Sequence, residues 1–246
     1  MNFCNIKKLY VFDIDNTLCE SNKGMNSKTI ELLKELQANN SAIVFASGKP
    51  AAYIAGFIRQ SGLKNVWIIG ENGYETQFSH TYPPKIHFKL RLKRSEIETM
   101  NSVSREILFR TRDYKRGSFW LQPNRFNFGY FLKDNYYKNH LNKILNDVLN
   151  ENSDNLLFYY HDYDNCFDLT HNKITKANAL NIIRKKYIKN IDEITAFGDS
   201  KNDIPMFNIS NHSIRIGSDR NIEDFIDISF NDINDALNYI IKRLHT

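Results

Sequence analysis

Cysteine is scarce in this chain of 246 residues, which has only Cys4, Cys19 and Cys166. They form no CxxC pair and have no partner histidine at a metal-binding spacing, so neither a disulfide framework nor a zinc site is expected. Apolar runs are also short, about five residues at most, whereas a membrane-spanning helix needs about 20. The start of the chain, MNFCNIKKLYVFDID, lacks the cleavage site of a signal peptide. We therefore expect a cytoplasmic protein with no membrane partner.

Positive charge is only slightly in excess, with 33 Lys and Arg against 28 Asp and Glu. The excess is regional: residues 81–133 contain 12 basic and 4 acidic side chains, a balance of +8, and residues 134–165 have a balance of −4. Arg-Gly-rich tails and ordered basic-aromatic RNA motifs are absent, so no nucleic-acid partner is expected. The rest of the chain is nearly neutral. The positive charge is therefore concentrated in one segment, which favours a small anionic partner.

The order of apolar and polar segments predicts an α/β fold. Short apolar runs alternate with helical patterns in the first 80 residues and again towards the end, which is typical of a doubly wound parallel, Rossmann-like sheet. Between them, strands with one polar face and paired turns indicate an antiparallel sheet with helices on one side. We predict a core at residues 1–80 and 166–246, with an α+β cap domain inserted at 81–165.

Polar residues follow four of the predicted parallel strands, where ligand sites of open sheets lie. They are Asp13-Ile14-Asp15, Ser47-Gly48, Glu71-Asn72-Gly73 and the segment from Asp199 to Asp203. Carboxylates brought together in one crevice repel one another unless a hard cation is present, and an all-oxygen ligand set suits Mg²⁺. For Glu71-Asn72-Gly73, a simple tight turn and a part in lining the site are equally open.

These segments resemble the four motifs of haloacid dehalogenase-type phosphatases, in family order. VFDIDNTL fits the first motif, Ser47 in VFASGKP the second, Lys176 in DLTHNKITKANAL the third and GDSKNDIPMF the fourth. The large insertion between the second and third motifs is similar to the cap of the class IIB subfamily, which includes Cof-type and sucrose-phosphate phosphatases. The resemblance implies the fold of that family and a Mg²⁺-dependent phosphatase.

The resemblance also implies roles for individual residues. Asp13 is expected to attack phosphorus and form an aspartyl-phosphate, while Asp15 exchanges protons with the leaving alcohol and with water. The full implied set is catalytic Asp13, Asp15 and Lys176; phosphate-binding Thr17, Ser47, Gly48 and Lys176; metal-binding Asp13, Asp15 and Asp199; and, beside the metal ligands, Asn202 and Asp203.

Three of the motifs depart from the family pattern. Asn16 stands where glycine is common, and asparagine tolerates a left-handed backbone better than most residues. The second motif often reads Thr-Gly-Arg, whereas this chain has Ser47-Gly48-Lys49. The hydroxyl is kept, and the cationic side chain is shorter. In the third motif Lys173 and Ala177 replace glycines, and Lys173 is a rival for Lys176, although Lys176 fits the family spacing better.

Basic residues of the insertion are candidates for substrate recognition. Arg112, Lys115, Arg116 and Arg125 lie among aromatic and amide side chains and could bind an anionic or polyhydroxylated leaving group. The alternative is that they form a solvated, charged surface.

The sequence therefore predicts a hydrolase of a small phosphorylated metabolite, either a sugar phosphate or a phosphorylated hydroxy acid, acting as a monomer or homodimer. Two alternatives stay open. The segment KRGSFWLQPNRFNFGYF resembles the cap of eukaryotic-type phosphomannomutases, which makes a phosphosugar mutase the second hypothesis. A non-catalytic, basic RNA-binding or regulatory protein is the third.

Overall fold

The computed structural model describes residues 3–133, 135–151, 155–161, 165–218 and 220–244. The chain forms two compact units. The first, here the core unit, comprises the chain up to Lys89 and again from Thr175. The second, here the inserted unit, is Leu90–Ile174.

Twelve strands and seven α-helices are present in the described residues. The strands are β1 (Lys8–Phe12), β2 (Ser41–Ala46), β3 (Trp67–Gly70), β4 (Glu75–Phe78), β5 (Ile86–Lys89), β6 (Phe119–Leu121), β7 (Asn127–Leu132), β8 (Leu156–His161), β9 (Cys166–His171), β10 (Glu193–Gly198), β11 (His212–Ile216) and β12 (Ile228–Phe230). The helices are α1 (Ser27–Ala38), α2 (Ala51–Arg59), α3 (Arg94–Arg110), α4 (Lys138–Glu151), α5 (Lys176–Lys186), α6 (Ile204–Phe207) and α7 (Ile233–Leu244).

The core unit is built on a sheet of eight strands in the order β12-β11-β10-β1-β2-β3-β4-β5. Its first six strands are parallel, and β4 and β5 pair antiparallel at one edge. The predicted α/β class with a parallel core is confirmed. The strands β4 and β12 were not expected, because each is only three or four residues long and its pattern is too short to indicate a period.

Both faces of this sheet are covered by helices, as its residues require. Along β1, Tyr10 and Phe12 pack on the side of α1, α2 and α7, and Leu9 and Val11 pack on the side of α5 and α6. All four are essentially inaccessible to solvent. A parallel strand buried on both faces reads as a continuous apolar run, which is why the central strands were recognisable in the sequence.

The inserted unit has an antiparallel sheet in the order β6-β7-β9-β8, with α3 in contact with β9 and α4 with β8. It starts nine residues after the predicted 81 and ends nine after the predicted 165, at 90 and 174. At the start, β5 is a strand of the core sheet, paired with β4. At the end, β9 was not expected, yet it lies between β7 and β8 and makes both of their pairings.

None of the helices in the described residues is long and apolar enough to cross a lipid bilayer.

Candidate active site

A buried lysine joins two of the predicted motifs. The Lys176 side chain is fully buried, and its Nζ donates to Oδ1 of Asp13 at 2.5 Å and to Oδ1 of Asp203 at 2.6 Å. A buried ammonium group is tolerated only when it is paired and hydrogen-bonded. Lys176 can therefore be buried here only because these two carboxylates accept its hydrogen bonds. The structure thus brings the first, third and fourth motifs together.

Local structure places the lysine at the first position of α5. Thr175 caps the helix, since its Oγ1 accepts a hydrogen bond from the backbone N–H of Asn178 at 3.1 Å. Threonine is a favourable N-cap residue because its hydroxyl satisfies a free N–H of the first turn. Asp13 comes directly after β1, and its N–H donates to Phe197 of the neighbouring strand at 2.9 Å. Capping and strand pairing therefore fix both partners.

Asp203 is held as firmly as the lysine. Its Oδ2 accepts backbone hydrogen bonds from Asp199 at 3.0 Å and Ser200 at 3.2 Å, while Oδ1 accepts from Lys176. Gly198 makes this arrangement possible, because a Cβ at that position would collide with Oδ2 of Asp203. Both oxygens of Asp203 are thus used to position the lysine and the loop that carries Asp199.

Three carboxylates lie close enough to share a cation. One oxygen from each of Asp13, Asp199 and Asp203 lies within 4.8 Å of the others. With Lys176 included, the formal charge of this acidic cluster is −2 when every group is ionised, which a single divalent cation would balance. The donor set consists of oxygens and so fits a hard cation.

Burial and neighbouring charges shift the pKa values of Asp13, Asp199 and Lys176. Burial, followed by the charge of Asp203, raises the pKa of Asp13 to about 7, although Lys176 opposes this. Burial and the charges of Asp13 and Asp203 raise the pKa of Asp199 well above its ordinary value. Burial lowers the pKa of Lys176, but attraction to Asp13 and Asp203 outweighs it, so its pKa is raised overall. The lysine is cationic, while Asp13 and Asp199 hold protons more tightly than usual.

Asp15 lies outside the acidic cluster of three. Its Oδ2 forms an ion pair with Nζ of Lys49 at 3.0 Å, and both side chains are mostly buried. The same Nζ lies 5.4 Å from the ring centre of Tyr53. The lysine of Ser47-Gly48-Lys49 therefore contacts Asp15, a partner that the spacing of the motifs did not reveal.

The remaining motif residues form a polar network around this edge of the sheet. Thr17 Oγ1 donates to Oδ1 of Asp199 at 3.0 Å. Ser47 is buried, and its hydroxyl accepts from the backbone N–H of Lys49 at 3.2 Å. Asn202 donates through Nδ2 to Oδ1 of Asn72 at 3.3 Å. Gly48 lies in the same turn, between Ser47 and Lys49.

The segment Glu71-Asn72-Gly73 does more than make a turn. Glu71 and Asn72 are buried with positive φ, and their backbone N–H groups donate to the carbonyls of Lys49 and Ser47 at 2.9 and 3.0 Å. A Cβ on Gly73 would collide with the carbonyl of Thr175. The segment therefore packs between the second motif and the start of α5. The Asn-Gly pair signalled a turn, but nothing local in the sequence signalled these distant contacts.

The basic candidates lie in the inserted unit. All four of Arg112, Lys115, Arg116 and Arg125 are exposed. Arg112 lies 4.0 Å above the ring of Phe109 and 3.7 Å from the carboxylate of Asp113. Lys173, the rival for Lys176, belongs to this unit and pairs with Glu96 at 2.5 Å.

Comparison with known proteins supplies the family. The profile of a family described as haloacid dehalogenase-like hydrolase matches two overlapping stretches, residues 10–138 and 121–222. The chain belongs to the haloacid dehalogenase-like hydrolase family. No curated protein matches the chain. The predicted family is confirmed, and with it the prediction of an enzyme of the hydrolase class.

Solved structures share the fold over nearly the whole chain at low identity. The C-terminal domain of trehalose-6-phosphate phosphatase from C. albicans is 14% identical with a TM-score of 0.73, over 98% of this chain and 92% of that one. A haloacid dehalogenase-like hydrolase from Bacteroides thetaiotaomicron is 16% identical with a TM-score of 0.69, over 95% and 99%. A sugar phosphatase of subclass IIB is 18% identical with a TM-score of 0.70, over 95% and 99%.

One departure from the family pattern is explained by the backbone. Asn16 has a φ of 58°, in the left-handed region that asparagine adopts more readily than most residues other than glycine. Its Oδ1 also accepts a hydrogen bond from the N–H of Ser21 at 3.2 Å. Asparagine thus replaces glycine here and adds a contact that stabilises the turn.

The close approach of Asp203 to Gly198 predicts a selective effect of one methyl group. We expect Gly198→Ala to lower the free energy of unfolding by about 1–3 kcal/mol, because the carboxylate must move away from its partners. The control is Gly56→Ala in α2, where a Cβ meets nothing within 4 Å and should raise stability by about 0.5–1 kcal/mol. Urea unfolding measures both, and equal effects would contradict this role of Gly198.

The raised pKa of Asp13 predicts a dependence of stability on pH. Its folded pKa is about 7 against an ordinary 3.8, so between these values the folded protein binds a proton that the unfolded chain releases. The free energy of unfolding therefore falls as pH rises from about 4 to about 7. In chelator, Asp13→Asn should flatten this fall, and the exposed-site control Asp192→Asn should not. An unchanged slope in Asp13→Asn would contradict the prediction.

Proposed function

We propose that the chain is a Mg²⁺-dependent phosphatase that hydrolyses a small phosphate monoester through an aspartyl-phosphate on Asp13. The observation that carries the proposal is the buried Lys176 between Asp13 and Asp203, in a cluster whose formal charge is −2 when every group is ionised. Phosphoryl transfer requires a positioned nucleophile and the neutralisation of negative charge, and this arrangement is suited to both.

Asp13 and Asp15 are the reacting side chains in this proposal. A carboxylate oxygen of Asp13 forms a bond to phosphorus as the ester P–O bond breaks, and Asp15 gives its proton to the leaving alcohol. Asp15 then takes a proton from water, whose oxygen attacks phosphorus and breaks the bond to Asp13, releasing phosphate. The contact with Lys49 positions Asp15 beside this reaction.

Mg²⁺ fits the oxygen donors at this edge of the sheet. Asp13, Asp199 and the backbone carbonyl of Asp15 would hold it, and when bound it would neutralise charge on the phosphate and the carboxylates. Asp203 is better suited to positioning than to ligation, since Lys176 and two backbone N–H groups already occupy its oxygens. Asn202 lies beside it and supports the same loop.

Short hydroxyl and backbone donors complete the proposed phosphate site. The Thr17 and Ser47 hydroxyls and the Gly48 backbone lie at this edge of the sheet, next to the acidic residues, and Lys176 supplies the positive charge. Their small size leaves room for a phosphoryl group, and neutral donors add little further charge to the site.

The substrate class we propose is a sugar phosphate or a phosphorylated hydroxy acid. Two structures with the same fold are named as a sugar phosphatase and a trehalose-6-phosphate phosphatase domain. The exposed cations of the inserted unit support an anionic or polyhydroxylated partner, because arginine binds carboxylate and phosphate through paired hydrogen bonds.

Hydrolysis of an aryl phosphate tests the proposed reaction. We expect turnover with Mg²⁺ and none in excess chelator, and a loss of roughly 10³-fold or more in kcat for Asp13→Asn, since the nucleophile is removed. Glu31→Gln, which changes an exposed carboxylate of helix α1 in the core unit, should keep wild-type activity. Undiminished activity of Asp13→Asn, or activity in chelator, would overturn the mechanism.

A second assay, with a hexose phosphate as substrate, separates the phosphatase from the two alternatives. A mutase would convert a hexose phosphate to its isomer in the presence of its bisphosphate activator, with little release of inorganic phosphate. A non-catalytic protein would do neither. Release of phosphate without isomerisation is the result that we expect.

The basic residues of the inserted unit are tested through KM. Replacing Arg112, Lys115, Arg116 and Arg125 by Gln should raise KM about tenfold or more for the best substrate in a panel of phosphorylated metabolites, because bonds to charged groups are lost. The control is Arg105→Gln with Lys143→Gln, two exposed cations of the same unit. An unchanged KM would leave the four residues as a solvated surface.

A further inference from the structure

A second polar cleft lies at the other end of the core sheet. It has a volume of about 480 Å³ and is lined by the end of α5, the connection to β10 and the residue before β11. The volume is within the range of small-molecule sites, about 300–1,000 Å³. The lining residues are Arg184, Lys185, Ile188, Lys189, Ile191, Asp192, Ile194 and Asn211.

The charge of this cleft favours an anion. Among the described residues, Arg184, Lys185 and Lys189 form no ion pair. The only carboxylate of the lining, Asp192, is already paired with Lys7 at 3.3 Å. Three cations that converge on a concave surface without a neutralising partner raise the local concentration of small anions.

An amide side chain adds a hydrogen-bond donor to the cleft. Oδ1 of Asn211 accepts a hydrogen bond from the backbone N–H of Ile194 at 2.8 Å, which leaves its NH₂ group as the remaining donor. Ile188 and Ile194, which also line the cleft, are buried and present almost no surface to a ligand, so the accessible lining is mainly polar. Basic residues at the end of a helix are often explained by the helix dipole, but that does not account for Lys189, Asn211 or the concavity.

Both elements that line the cleft also reach the candidate active site. Helix α5 begins at Lys176 and reaches Arg184 about 12 Å further along its axis. Strand β10 runs from Ile194 at the cleft to Gly198, roughly 13 Å away, immediately before Asp199. A ligand that draws these two ends together would act on the elements that carry the acidic cluster.

We propose that this cleft is an effector site for a small organic anion, one with a phosphate- or carboxylate-like group. The binding part does not depend on the proposed phosphatase activity. The effector part rests on that activity, because it predicts a change in turnover.

Binding is tested by titration calorimetry with phenylphosphonate, which has no ester bond to hydrolyse. The protein is freed of divalent cations and the chelator is removed beforehand, so that the unneutralised carboxylates around Asp13 repel this anion from the candidate active site. We expect one equivalent to bind, and affinity to fall about tenfold or more in the double variant Arg184→Gln, Lys189→Gln. The matched control, Lys28→Gln with Lys64→Gln, removes two exposed cations from the same unit and should bind as wild type does. No binding, or equal binding by the double variant, would overturn the site.

The effector role is tested with Mg²⁺ and an aryl phosphate. 2-Naphthalenesulfonate serves as the added anion, and we expect it to change kcat or KM about fivefold or more in the wild type and not in the Arg184→Gln, Lys189→Gln variant. Equal effects in both proteins would overturn an action through this cleft, and no effect in either would overturn the effector role. An inactive wild type would count against the proposed function and leave the binding result to decide the site.

Discussion

The buried ion pair of Lys176 with Asp13 and Asp203 is the interaction on which the candidate site depends. The ammonium group of Lys176 is shielded from solvent, so it depends on both carboxylates for its hydrogen bonds. Removing one partner of such a buried pair costs about 3–5 kcal/mol of stability. The surrounding structure meets this demand: Thr175 caps the helix that starts at the lysine, and Gly198 leaves space for Asp203. Stability and the proposed chemistry thus rest on the same three side chains.

The same interaction leaves a charge that is not balanced. One lysine faces Asp13, Asp199 and Asp203, so the acidic cluster attracts protons or a divalent cation. The pKa of Asp13 is raised although its nearest partner is a cation, because burial outweighs the attraction to Lys176 and the charge of Asp203 adds to the effect of burial. In the proposed function, a cation and Lys176 would offset the repulsion between these carboxylates and a negatively charged substrate.

Much of this organisation could be predicted from the sequence, for identifiable reasons. Central strands such as β1 are continuous apolar runs, and polar residues follow them directly, so the parallel core and the convergence of Asp13 and Asp199 could be expected. Lys176 follows no central strand, and it was expected only from the family resemblance. The short strand β4 and the strand β9 could not, because their places depend on pairing with distant segments. The partner of Asp15 was also hidden, since Lys49 reaches it from a different strand end.

Detection of a phosphoryl group on Asp13 is the most direct test of the central claim. Wild-type protein mixed with Mg²⁺ and excess aryl phosphate would be quenched in acid within the first turnover, digested and analysed by mass spectrometry. The account predicts one phosphoryl group on the peptide that contains Asp13, removable by hydroxylamine as an acyl phosphate. Phosphate release with no adduct on that peptide, or an adduct on a different residue, would contradict it.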